Sequence, residues 1–153
     1  LLERVYKNFS GDYQVVMSLG LPNASLKPRQ HGCLTVFNWL EERFEYLKAC
    51  DLVVARAGHE TMVQALCYGK PMVLVPAAGH TEQINNASKA VELGVAEMIE
   101  QKLLNRRRLL STIEKILHTD DYREKAEKLQ TDAFLTLCGQ ERLVQTIMEI
   151  AEN

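Results

Sequence analysis

The sequence predicts an α/β domain built on a doubly wound parallel sheet. Three observations carry that expectation. Two short apolar runs, residues 51–55 and 71–75, show no alternation of apolar with polar side chains, as strands buried on both faces of a parallel sheet do. Between them lie Gly58, then Met62, Val63, Ala65 and Leu66 at helical spacing, then Gly69. That order is strand, glycine turn, helix, terminal glycine, strand: a βαβ unit. Strand-like and helix-like segments also alternate through residues 13–99, and the remainder reads as helix.

In order along the chain, residues 1–8 read as the tail of a helix. Residues 13–19 read as a strand ended by Gly20 and Pro22, and 23–32, polar with Pro28, as a loop. Residues 33–37 form the next expected strand. Phe44, Leu47 and Lys48 give 41–49 a short helical spacing. The βαβ unit follows. Its second strand runs into Ala77-Ala78-Gly79 and a helix for which Thr81 is the expected N-cap, stopped by Gly94. Residues 95–99 form a short strand. Asn105 is placed to cap a helix over 106–117 with Leu109, Leu110, Ile113 and Ile116 facing inward. Residues 120–137 and 140–152 give two more helical patterns, broken at Gly139. Domains of this class normally open on a strand, whereas this chain opens inside a helix. The expectation is therefore one domain over residues 1–153 that lacks its first strand and a preceding domain.

Composition excludes several function classes. The 153 residues are 46% hydrophobic and 25% charged with a formal net charge of −2, enough for one core and with no basic stripe for nucleic acid. Arg106-Arg107-Arg108 is the one cationic run and reads as a solvated helix turn. No apolar stretch approaches the length of a membrane span, and the charged amphipathic opening is unlike a signal peptide. Cys33, Cys50, Cys67 and Cys138 form no CxxC pair and read as free thiols of a reducing compartment, hence a cytoplasmic chain. His31, His59, His80 and His118 are scattered without metal-ligand spacing, so no metal is expected.

Chemistry concentrates at the two strand-to-helix turns, which share one carboxyl edge, the edge where open parallel sheets bind ligands. At Arg56-Ala57-Gly58, backbone N–H groups and the helix dipole favour an anion such as phosphate, and Gly58 allows close approach. The same glycine turn also occurs as a plain connection in α/β folds. Thr61 can add a hydroxyl. Gln64, one turn on, is either a surface residue or a ligand for hydroxyls such as those of a ribose. Gly79, His80, Thr81, Glu82 and Gln83 read either as a helix cap or as partners for sugar hydroxyls. Asn85 and Asn86 are poor helix formers early in a helix, which points to a use beyond local stability. Phosphate donors in one turn and hydroxyl ligands in the next make a nucleotide-sugar site.

The stretch Asp51-Leu-Val-Val-Ala-Arg-Ala-Gly58, followed by Gly69-Lys70-Pro71, and Pro76 followed by Glu82-Gln83-Ile84-Asn85-Asn86-Ala87, resembles the C-terminal, donor-binding domain of GT-B glycosyltransferases, family 28 above all. The second motif is similar to that family's D/E-Q-x-x-N-A pattern, and the likeness spans residues 37–99. The resemblance implies a Rossmann-like fold and a UDP-sugar donor, UDP-N-acetylglucosamine first. The hexosyl group goes to an acceptor hydroxyl without a metal, consistent with the absence of a DxD motif. By the same resemblance, backbone near Trp39 and Leu40 receives the uracil. The backbone around Ala57, Gly58 and His59, with Thr61, holds the diphosphate, and Glu82 and Gln83 contact the transferred sugar. Arg56, Gly79 and His80 join the candidate site from the two turns themselves. At position 64 the family usually carries a ribose-binding glutamate, where this chain has Gln64, and His59 is not the family's commonest residue after the glycine. No catalytic base is expected here, because the resemblance puts it in an N-terminal acceptor domain or partner subunit. The chain is then the donor half and inactive alone. Two alternatives remain open: a UDP-sugar hydrolase, and a non-catalytic partner in a two-subunit transferase. Leu129, Phe134, Leu137, Leu143, Ile147 and Ile150 serve either the domain's own core or docking to that other half. Since many acceptors of the family are lipid-linked, the resemblance also implies peripheral contact with the cytoplasmic face of a membrane.

Overall fold

The protein was analysed as a computed structural model, which describes residues 13–22 and 27–135 together with Gly139 and Met148. It is an α/β fold with helices on both faces of parallel strands. The elements are β1 (Val15–Ser18), β2 (Arg29–His31), β3 (Leu34–Phe37), α1 (Arg43–Ala49), β4 (Val53–Ala55), α2 (His59–Cys67), β5 (Met72–Leu74), α3 (Thr81–Glu92), β6 (Ala96–Met98), a 3-10 turn (Gln101–Leu103), α4 (Arg106–Leu117) and α5 (Asp120–Lys128). Residues 130–135 are also helical.

The strands form two three-stranded sheets, ordered β1-β3-β2 and β4-β5-β6. β3 pairs parallel with β1, Leu34 opposite Val15. β5 pairs parallel with β4, Met72 opposite Val53, and with β6, Met72 opposite Ala96. Among the described residues, β1 and β4 each leave one edge unpaired.

β5 explains why its sequence runs apolar without alternation. Val73 and Val75 join one core cluster with Leu34, Val36, Ile99 and α4 residues Leu109, Ile113 and Ile116. Met72 and Leu74, pointing the other way as neighbouring strand residues must, join a second cluster with Ala57, Ala65, Ala87, Ala90 and Ala126. Alanines on the helices of that face let them sit close to the sheet. The first cluster draws on both sheets, so α4 helps hold them together.

Helix ends follow local chemistry. Gly69 has a φ of +62°. Its N–H bonds the Leu66 carbonyl at 2.9 Å, and Lys70 N–H bonds that of Ala65 at 3.0 Å. This paired ending needs a left-handed residue just past the helix. A Cβ at Gly69 would also lie 3.0 Å from Glu127 Cγ on α5. Asn105 caps α4 as expected, its side chain accepting from Arg108 N–H at 2.9 Å. Leu109, Ile113 and Ile116 are buried, and Leu110 is half-buried. Arg106, Arg107 and Arg108 are exposed.

Three expectations need correction. Residues 29–31 are not loop but the edge strand β2, antiparallel to β3 with Arg29 opposite Val36. All three residues are exposed, so they carry no apolar pattern, and the strand exists through its backbone pairing across the turn at Gly32. The N-cap of α3 is His80 rather than Thr81: its Nδ1 accepts from Gln83 N–H, and Thr81 is already helical. The helix expected over 120–137 is interrupted at Leu129, where α5 ends. Leu129 packs on the second cluster, whereas Phe134 is exposed. The patterns over 1–8 and 140–152, with Leu137, Leu143, Ile147, Ile150 and Cys138, lie outside the described residues. Cys33, Cys50 and Cys67 form no disulfide, and burial pushes the Cys50 thiol up against the opposing pull of Lys70. No helix among the described residues is long and apolar enough to cross a membrane.

One polar cluster ties α4 and α5 to β6. Lys115 Nζ lies 2.6 Å from Glu97 Oε1, and the Tyr122 hydroxyl donates to the same oxygen. Burial pushes the Glu97 carboxyl up, but the bonds from Lys115 and Tyr122 together outweigh it and hold it below the usual carboxylate range. A depressed carboxylate contributes stability above its unfolded pKa, and that contribution is lost as pH falls through the folded value. Glu97→Gln is expected to lower stability at pH 7 by about 1 kcal/mol. The difference from wild type should shrink as pH drops below ~4, read by urea unfolding at several pH values. A difference that stays constant with pH would show that the carboxylate's charge is not what stabilises.

Candidate functional site

The site is built at the carboxyl edge of β4 and β5. Because these strands are parallel, their following turns leave the same edge and bring the starts of α2 and α3 together. In the first turn Arg56 is exposed, Ala57 fully buried and Gly58 half-buried. Ala57 has a φ of +61°, the sole non-glycine residue with positive φ among those described. Such a conformation costs about 1 kcal/mol in an L-residue, so its surroundings must hold it.

Gly58 is the N-cap of α2, extended at φ −68° and ψ 136°, and no side chain caps this helix. The first backbone bond of the helix runs from Met62 N–H to the Gly58 carbonyl at 3.2 Å. The N–H groups of His59, Glu60 and Thr61 thus have no acceptor within the helix. His59, Glu60 and Thr61 are exposed, and a Cβ built on Gly58 would meet nothing within 4 Å. A helix start that is open, uncapped and approachable favours an anion.

The second turn is tied down more fully. Gly79 has a φ of +76° and lies before His80, the cap of α3. Gln83 Oε1 accepts from Ala77 N–H at 2.9 Å, which fastens the helix to its own loop and leaves the side-chain NH2 to point elsewhere. Glu82 is exposed beside it. The two turns are joined directly by Asn86, whose Nδ2 donates to the Ala57 carbonyl at 3.2 Å.

Gln64 is not a surface residue: it is 7% exposed, the one buried polar or charged residue among those described. Its Nε2 donates to Glu60 Oε1 at 2.7 Å. Glu60 also receives Arg43 of α1, Nη2 to Oε1 at 3.4 Å. A glutamate at 64 would set two carboxylates against each other here, so the neutral amide fits this chain's own neighbour. The Arg43 contact brings the segment after β3 alongside α2. Trp39 and Leu40 lie in that segment and are half-buried. The sequence reading missed Glu60 and Arg43. Glu60 sits one helical turn before Gln64, a spacing that could have flagged the pair.

The comparisons agree with this architecture. Residues 3–150 match the glycosyltransferase family 28 C-terminal domain. An uncharacterized glycosyltransferase of Methanosarcina acetivorans is 34% identical over 95 residues, covering 62% of this chain and 25% of that protein. The UDP-N-acetylglucosamine–N-acetylmuramyl-(pentapeptide) pyrophosphoryl-undecaprenol N-acetylglucosamine transferase of Anaeromyxobacter sp. (strain K) is 41% identical over 78 residues, covering 50% of this chain and 20% of that protein. This chain thus spans about a quarter or less of the length of these curated relatives. Among solved structures, the glycosyltransferase of kitacinnamycin superposes with a TM-score of 0.71 at 23% identity, over 86% of this chain and 34% of that one. MurG of Acinetobacter baumannii superposes with a TM-score of 0.56 at 22% identity, over 65% of this chain and 29% of that one. These structural likenesses speak to the fold, which is the GT-B, Rossmann-like one. With a family match over nearly the whole chain, this chain belongs to the glycosyltransferase family 28 C-terminal domain family.

Proposed function

We propose that this chain binds the nucleotide-sugar donor, a UDP-sugar and foremost UDP-N-acetylglucosamine, for a transferase that moves a hexosyl group to an acceptor hydroxyl. The observation that carries this reading is the uncapped start of α2, with three consecutive N–H groups, next to the start of α3 in a family 28 domain. Gly58, His59 and Thr61 then surround the diphosphate, with Arg56 and Ala57 shaping its turn. Gly79, His80, Glu82 and Gln83 face the sugar, Trp39 and Leu40 the uracil, and Gln64 the ribose by way of Glu60. As the sugar–phosphate bond breaks, negative charge grows on the departing UDP. The N–H groups and dipole of α2 stabilise it without a metal ion. The acceptor and its base belong to an N-terminal domain or partner subunit, so this chain alone does not turn over. The greater length of the relatives, of which the match covers a quarter or less, supports that division. We assign the chain to the cytoplasm, at a membrane face where the acceptor is a lipid.

Calorimetric titration with UDP and with UDP-N-acetylglucosamine tests the reading. Saturable binding of both is expected, tighter than that of GDP. No heat from either at millimolar concentration would overturn it. A second reading, a non-catalytic partner subunit, is favoured by the amide of Gln64 being spent on Glu60, and it predicts that outcome.

A further inference from the structure

We infer that Asn86 is a positioning residue for the donor's phosphates, acting through the backbone of Ala57 and Gly58; the inference rests on the nucleotide reading above. Asn86 lies 29 residues from Ala57 in sequence, yet its Nδ2 donates to the Ala57 carbonyl oxygen at 3.2 Å. The peptide between Ala57 and Gly58 is planar and trans, like every other described peptide bond, so its carbonyl and its N–H point in opposite directions. Holding the carbonyl toward α3 therefore turns the Gly58 N–H away from α3. That sets the first donor in the series that continues through His59, Glu60 and Thr61.

Three further observations give this bond its purpose. Ala57 is buried with a φ of +61°, a conformation that its own side chain disfavours and that an outside contact has to stabilise. Nothing within 4 Å occupies the position of a Cβ on Gly58, so the turn is open to a ligand there. And asparagine is a weak helix former that Ala87 and Ala90, buried on the same side of α3, show could have been replaced by alanine for packing alone. Gln83, one turn earlier, fastens the other turn through Ala77 N–H. The first two turns of α3 thus fix both ends of the site, Gln83 at the sugar end and Asn86 at the phosphate end.

The test compares the full chain with Asn86→Ala and with Asn86→Leu, which keeps the side chain's branched shape and removes its polarity. Three quantities are read: UDP affinity by calorimetry, melting temperature, and the Gly58 amide resonance in the ligand-free protein. UDP affinity is expected to fall about tenfold in both variants, the equivalent of ~1.4 kcal/mol. The Gly58 amide should shift in both, and the melting temperature should stay within about 4 °C of wild type. UDP affinity equal to wild type in the variants would overturn the positioning role and leave the nucleotide site standing. Affinity lost only together with a collapse in melting temperature, in the leucine variant as well, would mark Asn86 as merely structural and also overturn it. A wild-type chain that binds no UDP would overturn both the nucleotide reading and this one.

Discussion

Gly58→Val is expected to weaken UDP binding about 100-fold while leaving the fold intact. The fold is spared because Gly58 is extended, at φ −68° and ψ 136°, which any residue adopts, and because an added Cβ meets nothing within 4 Å. Valine is a poorer N-cap than glycine, which costs up to about 1 kcal/mol and lowers the melting temperature by a few degrees. Binding is not spared. A phosphate oxygen must come within about 3 Å of the N–H groups at the start of α2, through the space the branched side chain then fills. A charge-assisted bond of this kind is worth about 1.5–3 kcal/mol, so losing one strong or two weaker ones, about 2.8 kcal/mol in all, accounts for the expected factor. The measurements are calorimetry with UDP and a thermal melt on the same sample. Undiminished UDP affinity would remove the start of α2 from the site. A melting temperature lowered by more than ~10 °C would mean that the open space at Gly58 is needed by the fold itself.

The largest stability effect is expected from Leu109→Ala, about 3 kcal/mol. Leu109 is fully buried on α4. It shares a core cluster with Leu34 and Val36 of β3, from one sheet, and with Val73 and Val75 at β5, from the other. Truncation removes apolar contacts and leaves a cavity that rigid strands on two sides cannot close. Leu103→Ala, at a position 40% exposed, is the control and should cost less than about 1 kcal/mol. Urea unfolding separates the two. A Leu109→Ala cost as small as the control's would mean that α4 does not join the sheets. A sharply altered dependence on urea would mean that they unfold separately.

Much of this domain was legible because its signals are local. The apolar runs that became β4 and β5, Gly69 at the end of α2, and Asn105 at the start of α4 each act on neighbours a few residues away. Such residues impose their conformation wherever the chain later packs. The positions of the two turns followed as well, since parallel strands joined by helices put those turns on one edge. Other features were not local. β2 carries no apolar pattern, because an exposed edge strand is specified by its partner's backbone. The cap of α3 shifted by one residue to His80, since capping depends on where Gly79 turns the chain.

The sequence by itself determined the fold class, the order of the elements other than β2, and the place of the two strand-to-helix turns at one sheet edge, because hydrophobic period, glycine and capping residues encode these over short range. Only the tertiary structure decided how the gathered residues are used. It split the strands into two sheets over shared cores and buried Gln64 against Glu60. It also bent Ala57 into a left-handed turn held by an asparagine from another helix. The reason is physical: a hydrogen bond between residues 29 positions apart exists only after packing has brought α3 against the turn before α2.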